Sequence, residues 1–580
     1  MGDLAGWAYG GAGNGVGAYC PAMTTLASFL VLLMTAKAEP PAQTPGDPKA
    51  EITISIVGTS DLHGHLAGLP WFAGYLRNLR AARQPGAVIV VDAGDMFQGT
   101  LESNLTEGAP VVDAYNAIGY SAAAIGNHEF DFGPVGRAPS PTQPGDDPQG
   151  ALRARAAQAH FPFLAANIVE AVSHRAVPWR NVLPSTLIDA AGIKVGIVGV
   201  ITTATGHSTL PANVAGLDFL PLAASITRES RRLRARGAKL VIAVAHEGGA
   251  CQSFTDPDSL TSCDPRSEIF AVAARLPRRT VDAIVAGHTH QAIAQRVAGI
   301  PIIQSYSNGR AFGRVDLTVE RTTGKVVSSH LDEPHEICPS STPETCKPGS
   351  YMGLPVKRDE QLGTLIAPSF VNARQKGEEQ LGVEVLRPLP HNRAQETALG
   401  NLLADLMRTA RPDADVAMIN GGGMRAGLPK GSLTYRHLYE TFPFDNAFAS
   451  MKLTAGQFRK LVARSLGRSP SLVSLSGVRV QARCKDRTLE VGLSRTGGSP
   501  LPDDTVLNLV TTDFLATGGD GFFGDTTLTL EVGSPIRDEI AEALRNRGGT
   551  VAPDDPTLFD PTRPRIDLPG PVPVHCTGAP

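Results

Sequence analysis

The chain has 580 residues, of which 42% are hydrophobic and 19% are charged, and its formal net charge is −3. The length exceeds what one hydrophobic core serves, so two or three globular domains are expected. The near-zero charge excludes a general attraction to polyanions, and we expect no duplex nucleic acid as a partner. One basic run, RRLRARG at Arg231 to Gly237, follows a helical pattern and is interpreted as a solvated helix end.

Near the start, the apolar stretch LASFLVLLMTA (Leu26 to Ala36) is too short to span a bilayer. It suits the core of a secretory signal, and AKA at Ala36 to Ala38 offers a small-x-small cleavage pattern. No Lys or Arg precedes Lys37, so a disordered tail is the alternative. We predict a signal peptide or leader over residues 1–38, a periplasmic or secreted location, and no stable membrane insertion.

Cysteine spacing also favours export. Six cysteines lie beyond the predicted leader, and two pairs of them bracket short loops rich in Ser, Thr, Pro and Asp. Loop-closing disulfides fit this spacing better than a metal site, because the sequence has no C-x-x-C motif. The predicted bridges are Cys251–Cys263, Cys338–Cys346 and, as the remaining pair, Cys484–Cys576.

Five short apolar runs in the first half of the chain end in Asp, Asn or His beside Gly. They are ITISIVGTSDLHGH, AVIVVDAGD, SAAAIGNHE, KLVIAVAHEGG and VDAIVAGHTH. Helical patterns lie between several of them, around Val111 to Ile118 and Leu222 to Leu233. Strands that alternate with helices predict an α/β fold, either a largely parallel layer or a sandwich with helices outside. Polar groups then cluster at the carboxyl ends of the strands.

After Ile337 the composition turns to Pro, Ser, Thr and Lys, which indicates a linker. A helical pattern resumes over Leu365 to Leu381. The strongest amphipathic pattern is Thr397 to Ala410, and the strand DVAMIN follows it. We predict a catalytic domain over residues 50–336, a linker and the start of a hinge helix over 337–370, a second domain over 371–568, and a tail over 569–580.

The strand ends supply seven oxygen and nitrogen donors and no thiolate. They are Asp61, His63, Asp95, Asn127, His246, His288 and His290. Such donors suit zinc or manganese, with magnesium, cobalt or calcium as further options, and seven suit two ions better than one. Two divalent cations against two carboxylates leave a positive surplus that would attract a phosphate dianion. Asp95 is the candidate for a bridging ligand.

His128 follows Asn127 on the turn GNHEFD, and Asp131 lies three residues on, where it can orient the imidazole. A ring held in this way can stabilise transition-state charge or protonate a leaving oxygen. In the second half, NGGGMR ends a strand with glycines whose N–H groups can approach a ligand, and Arg425 can bind phosphate in a forked manner. Arg393, ahead of the amphipathic helix, could face the same ligand. No P-loop motif occurs.

At these motifs the sequence resembles the calcineurin-like metallophosphoesterases. More narrowly, it resembles the 5'-nucleotidase family, which includes periplasmic UDP-sugar hydrolases. The resemblance implies a four-layer αββα N-terminal domain followed by an α/β (α+β) nucleotide-binding domain. It implies His128 and Asp131 as the catalytic dyad. It places one metal among Asp61, His63, Asp95 and His290, and the other among Asp95, Asn127, His246 and His288.

The resemblance extends to the second domain. There it implies that Phe444 and Phe514 sandwich a nucleobase, Arg393 and Arg425 hold phosphate, and Asn420 and Asp520 contact base or ribose, with Gly422 and Gly423 in the same turn. The implied function is an exported phosphohydrolase that uses metal-bound hydroxide on nucleoside 5'-monophosphates. Alternatives on this fold are hydrolysis of UDP-sugars, 2',3'-cyclic nucleotides or thiosulfate on a carrier protein, and, outside catalysis, a surface binding protein. Substrate grips in both domains imply hinge motion. A monomer or a homodimer is expected.

Overall fold

A seven-stranded sheet opens the folded part of the chain. The computed structural model describes residues 51–136, 139–141, 143–338, 345–523, 529–531 and 534–576, so the predicted leader lies outside the described residues. The strands, in sheet order, are Val326–Glu336, Ala311–Glu320, Glu51–Thr59, Val88–Asp92, Ala122–Ala124, Phe163–Leu164 and Val182–Leu183. The five from Glu51–Thr59 onward pair in parallel, so their carboxyl ends meet at one edge.

A six-stranded sheet supplies the second layer. Its strands, in order, are Ala292–Val297, Ile300–Ser305, Ala283–Ala286, Leu240–His246, Ile193–Ile201 and Ser185–Ala190. The central strands again pair in parallel. All five apolar runs that the sequence predicts as strands are strands, and the sandwich with helices outside is confirmed.

The two sheets pack face to face because alternate residues of each strand point to opposite sides. Ile54 and Ile56 meet Ile242 and Val244 in the core between the sheets. The opposite faces are covered by helices, which makes four layers of the αββα type. The helices on the first sheet are Leu69–Ala81 and Ala109–Ile118, and those on the second are Leu222–Ala235 and Glu268–Arg275. The basic run therefore does lie at a helix end.

The second domain is built on smaller sheets. The central sheet has five strands, in the order Val473–Ser476, Val416–Asn420, Val506–Thr512, Phe448–Thr454 and Thr529–Leu530. Two three-stranded sheets flank it, formed by Gly431–Thr434, Gln380–Val385 and Thr550–Val551, and by Thr488–Arg495, Val478–Lys485 and Ile566–Asp567. Its longer helices are Ala398–Ala410, Tyr435–Thr441, Ala455–Leu466 and Ile536–Arg547. The mixed α/β architecture with a second α/β domain is confirmed.

One helix, Glu360–Gly377, connects the two domains. Asp359 caps it by accepting the N–H of Leu362 at 3.0 Å. Leu362 and Ile366 pack in the core of the first domain, whereas Ala373 packs in that of the second. The predicted helix over Leu365 to Leu381 is wrong at both ends. The segment Gln380–Val385 alternates exposed and buried residues and pairs as a strand, because its period of two overrides the helical pattern.

Disulfides link the cysteines as the sequence predicts. The three bridges are Cys251–Cys263, Cys338–Cys346 and Cys484–Cys576. The third joins positions 92 residues apart, close to the end of the described chain. Within the described ranges, we find no helix with the length and hydropathy needed to cross a bilayer.

Candidate active site

The seven predicted donors meet where the carboxyl ends of the two sheets adjoin. The structure brings Asp61, His63, Asp95 and His290 into one group whose ligand atoms lie within 4.8 Å of one another. Asp95, His246 and His288 form a second group, whose ligand atoms also lie within 4.8 Å of one another. Asn127 joins the second group, with Oδ1 3.0 Å from Nε2 of His246. The oxygen and nitrogen donor set fits two divalent ions that share one carboxylate.

The imidazole rings are oriented by backbone carbonyls. Nδ1 of His63 donates to the carbonyl of Gln98 at 2.7 Å, and Nδ1 of His246 donates to the carbonyl of Ala93 at 2.8 Å. Each bond occupies Nδ1, so Nε2 is the nitrogen available to a metal ion. Nε2 of His63 lies 2.9 Å from Nε2 of His290, so two ring nitrogens converge on one point. A hydrogen bond from the ring nitrogen that does not bind metal commonly orients metal-binding histidines.

Asp95 lies between the two groups. Its Oδ2 is 3.2 Å from Nε2 of His246 and 3.9 Å from Nε2 of His63. Its Oδ1 accepts the backbone N–H of His128 at 2.9 Å. A Cβ on Gly126 would lie 2.2 Å from this Oδ1, so glycine is required for the two turns to approach. This is the position expected of a bridging carboxylate.

Backbone strain concentrates at the donors. Five of the seven have φ in the left-handed region, namely Asp61 (51°), His63 (49°), Asp95 (59°), His288 (77°) and His290 (59°). Each such residue costs about 1 kcal/mol or more and persists only when its surroundings hold it. One such restraint is the backbone N–H of His288, which donates to Asp61 Oδ1 at 2.9 Å. The tertiary structure thus holds the donors in a strained geometry, as is common at functional sites.

Burial dominates the electrostatics of the donor groups. It raises the pKa of Asp61 to about 7 and lowers the pKa of His288 to about 3. Burial also opposes a charge on His246, but Asp95 and other nearby carboxylates outweigh it and raise the pKa of His246 to about 10. The protein therefore gathers negative charge around His246. A divalent cation bound at the His246 ring would neutralise that charge.

His128 and Asp131 form a tight pair at the edge of the donor groups. Nδ1 of His128 lies 2.5 Å from Oδ2 of Asp131, and the other carboxylate oxygen accepts the hydroxyl of Thr209 at 2.7 Å. Nε2 of His128 lies 2.8 Å from Nη2 of Arg425, which belongs to the second domain. The ring is thus oriented on one side, while its second nitrogen faces the groups of the other domain.

One cavity joins the two domains. Its volume is about 770 Å³, and its wall includes Asp95, Asn127, His128 and Asp131. The predicted residues of the second domain line the same cavity: Arg393, Asn420, Gly422, Gly423, Arg425, Phe444, Phe514 and Asp520. The sequence prediction therefore groups residues that the fold brings together.

The wall of the second domain carries positive charge and two aromatic rings. Burial, reinforced by the charge of Arg393, lowers the pKa of Arg425 to about 10, so an anion bound there would stabilise its charged form. Asn420 donates to Asp520 at 2.8 Å. Phe444 lies with its ring 5.7 Å from the ring of His128, and Phe514 packs over Gly519.

Sequence reasoning missed two supporting residues. The carboxylate of Glu129 accepts the backbone N–H groups of Asp95, Met96 and Gly126 at 2.7–2.8 Å and so joins the two turns. Its position within the motif GNHEFD was the one sequence feature that could have pointed to Glu129. Thr209, which fixes Asp131, lies 78 residues further along the chain with no motif around it. Only the fold could reveal that contact.

Comparison with known proteins agrees with this architecture. A family model described as calcineurin-like phosphoesterase matches residues 54–292, and the 5'-nucleotidase C-terminal domain matches residues 357–525. UshA of Yersinia enterocolitica is 26% identical over 88% of this chain and 93% of its own length. The endonuclease YhcR of Bacillus subtilis is 25% identical over 81% of this chain. A solved 5'-nucleotidase precursor from Thermus thermophilus shares the fold, with a TM-score of 0.68, 22% identity, and coverage of 87% of this chain and 100% of its own.

The fold and the candidate metal site define a two-domain protein whose first domain is of the calcineurin-like phosphoesterase type. The two family matches together cover more than half of the chain. The chain belongs to the 5'-nucleotidase family, with a calcineurin-like phosphoesterase domain followed by a 5'-nucleotidase C-terminal domain. It spans only 37% and 64% of the length of two of the curated relatives that it matches.

Proposed function

We propose that the protein is an exported phosphohydrolase that releases phosphate from nucleoside 5'-monophosphates. The single observation that carries this proposal is the shared cavity of about 770 Å³. Its wall holds four of the metal-ligand candidates (Asp95, Asn127, His288 and His290), together with His128, two arginines and two phenylalanines. A nucleoside monophosphate has the matching parts, which are a dianion, a sugar and a flat base. The volume lies within the range of small-molecule sites.

Two divalent ions, zinc or manganese, would be held by the two donor groups with Asp95 between them. Such ions stabilise phosphoryl charge and supply an activated water for displacement at phosphorus. We expect the phosphoryl group to lie between the donor groups and two arginines of the second domain. Arg393 and Arg425 approach the same volume from the second domain and would bind its oxygens.

His128 is the proposed general acid. Asp131 and Thr209 hold its ring so that Nε2 points toward the cavity. In the structure Arg425 donates to this nitrogen. A bound phosphate would offer Arg425 an anionic partner and free Nε2 to take up a proton from solvent. Nε2 could then donate that proton to the leaving sugar oxygen.

The direct test of this function is phosphate release by the purified full-length chain in Mn²⁺ or Zn²⁺. We expect release from AMP and other nucleoside 5'-monophosphates. UDP-sugars and 2',3'-cyclic nucleotides belong in the same panel, because they would use the same cavity. No release from any phosphate ester would overturn the proposal and favour a binding protein.

The aromatic pair is expected to select nucleotides. Replacing Phe444 and Phe514 together by alanine should raise KM for AMP roughly 10-fold or more, since a base–aromatic stack contributes about 1–3 kcal/mol. The kcat/KM for p-nitrophenyl phosphate, which has no nucleobase, should change little. Phe254→Ala, outside the cavity, is the matched control. Equal losses on both substrates would contradict a base-binding role.

Export is the part of the proposal that rests on the cysteines. Three disulfides are expected in an oxidising compartment and are rare in the cytosol. Mass spectrometry of the exported protein after alkylation without reductant should find Cys251, Cys263 and Cys484 unmodified. Alkylation of these thiols in the native, active protein would contradict the proposed location.

A further inference from the structure

Gln98, a residue of the cavity wall, has a buried carboxamide without a hydrogen-bond partner among the described residues. The residue is 2% exposed, and neither Nε2 nor Oε1 has a hydrogen-bond partner in the part of the chain that the structure describes. The residue lines the same cavity as Asp95, His128 and Arg425. Buried amide groups are nearly always hydrogen-bonded, because an unpaired one loses its contacts with water and gains nothing in return. A buried, unpaired amide at a cavity wall indicates that a bound ligand supplies its hydrogen-bond partner.

The position of Gln98 in the cavity is fixed by its main chain. Its carbonyl accepts Nδ1 of His63 at 2.7 Å, which ties it to the first donor group. The next residue, Gly99, packs so closely that an added Cβ would lie 2.3 Å from the carbonyl oxygen of His63. The Gly99 N–H donates to Asn104 at 3.0 Å. The backbone on both sides is therefore held, which keeps this residue beside the donor group that includes His63.

We propose that Gln98 is a substrate-binding residue whose Nε2–H donates to a phosphoryl oxygen of the substrate. This inference rests on the proposed phosphohydrolase function. In that function the phosphoryl group would lie between the donor groups and the two arginines, and Gln98 is in the wall of the same cavity, next to the donor group that includes His63. Its uncharged donor adds a hydrogen bond without adding positive charge, and Oε1 can accept from a substrate hydroxyl or a water molecule.

A second buried glutamine gives a matched control. Gln295 is 0% exposed and lies on a strand away from the cavity wall. Its Nε2 donates to the Ser253 carbonyl at 2.7 Å, and its Oε1 accepts the N–H of Ala294 at 2.9 Å. Methionine has a similar length and no amide. Gln295→Met should therefore lower Tm and leave kcat/KM unchanged. Gln98→Met should lower kcat/KM and leave Tm unchanged or higher.

The test compares Gln98→Met with the unaltered chain in Mn²⁺. We expect kcat/KM to fall about 10-fold to 100-fold for both AMP and p-nitrophenyl phosphate, because the phosphoryl group is common to both and hydrogen bonds to charged groups are strong. The Tm without phosphate should stay the same or rise, since a buried unpaired amide is removed. The rise in Tm caused by inorganic phosphate should shrink.

Three outcomes would overturn the assignment. The first is a Tm lowered by several degrees with kcat/KM unchanged, which is the signature of a structural residue. The second is a loss for AMP alone, which would place Gln98 at the nucleoside. The third is a phosphate-induced rise in Tm equal to that of the unaltered chain. Failure of the unaltered chain to release phosphate from either ester would instead overturn the proposed function, so the two failures are distinguishable.

Discussion

Replacing Asp95 by asparagine is expected to lower kcat for AMP by about a thousandfold or more. Oδ2 of Asp95 lies between His246 and His63, so the change removes the negative charge shared by both donor groups. Metal-ion stabilisation of phosphoryl charge amounts to several kcal/mol, and each 1.36 kcal/mol is about tenfold in rate. The measurement is phosphate release in Mn²⁺, together with the metal content of the purified protein by mass spectrometry.

Asparagine keeps an oxygen that can accept the His128 N–H, so the fold around the turn should survive. Asp258→Asn is the control, because this aspartate is 70% exposed and lies outside the cavity wall. It should leave kcat and metal content unchanged. An Asp95→Asn protein that keeps two metal ions and full activity would show that this carboxylate is not the shared ligand.

Replacing His128 by asparagine is expected to lower kcat for AMP by about 10²–10⁴-fold with the metal content unchanged. The range is that of a positioned general acid, and the ring is outside both donor groups. The loss should be much smaller for p-nitrophenyl phosphate, because p-nitrophenolate is a stable leaving group that needs little protonation. The measurement is kcat for both substrates.

His330→Asn serves as the control, since this histidine is 72% exposed and far from the cavity wall. Equal losses for AMP and p-nitrophenyl phosphate would indicate that His128 stabilises charge on the phosphoryl group instead of protonating the leaving oxygen. A large drop in bound metal would indicate a ligand. Either result would contradict the role of general acid.

The extent of sequence-based prediction differs between the two domains. In the first, each predicted strand exists, because a short apolar run ending in a polar residue beside glycine is a local signal. In the second, the end of the linking helix was predicted wrongly, since Leu381 suits both the helical pattern and the strand that it joins. Helix boundaries depend on which partner strand is present, and Gln380–Val385 finds one in Gly431–Thr434.

The candidate site was likewise predicted from the sequence only in part. Four of the seven predicted donors line one cavity with the predicted residues of the second domain, and the other three group with those four donors. Glu129 was visible in its motif but had no recognisable role, because two of its three partners are backbone N–H groups on another turn, at Asp95 and Met96. No sequence feature indicated a role for Gln98. Its unpaired amide is a property of its surroundings and not of its neighbours in sequence.

The sequence by itself determined where the strands end, which donor types stand at those ends, and the family to which the chain belongs. The tertiary structure decided the distances within the two donor groups, which ring nitrogens face the groups, and that Arg425 meets His128 across 297 residues. The reason is physical. Strand formation and donor chemistry depend on neighbouring residues, whereas ligand geometry depends on distances of 3 to 4 Å between segments that only folding brings together.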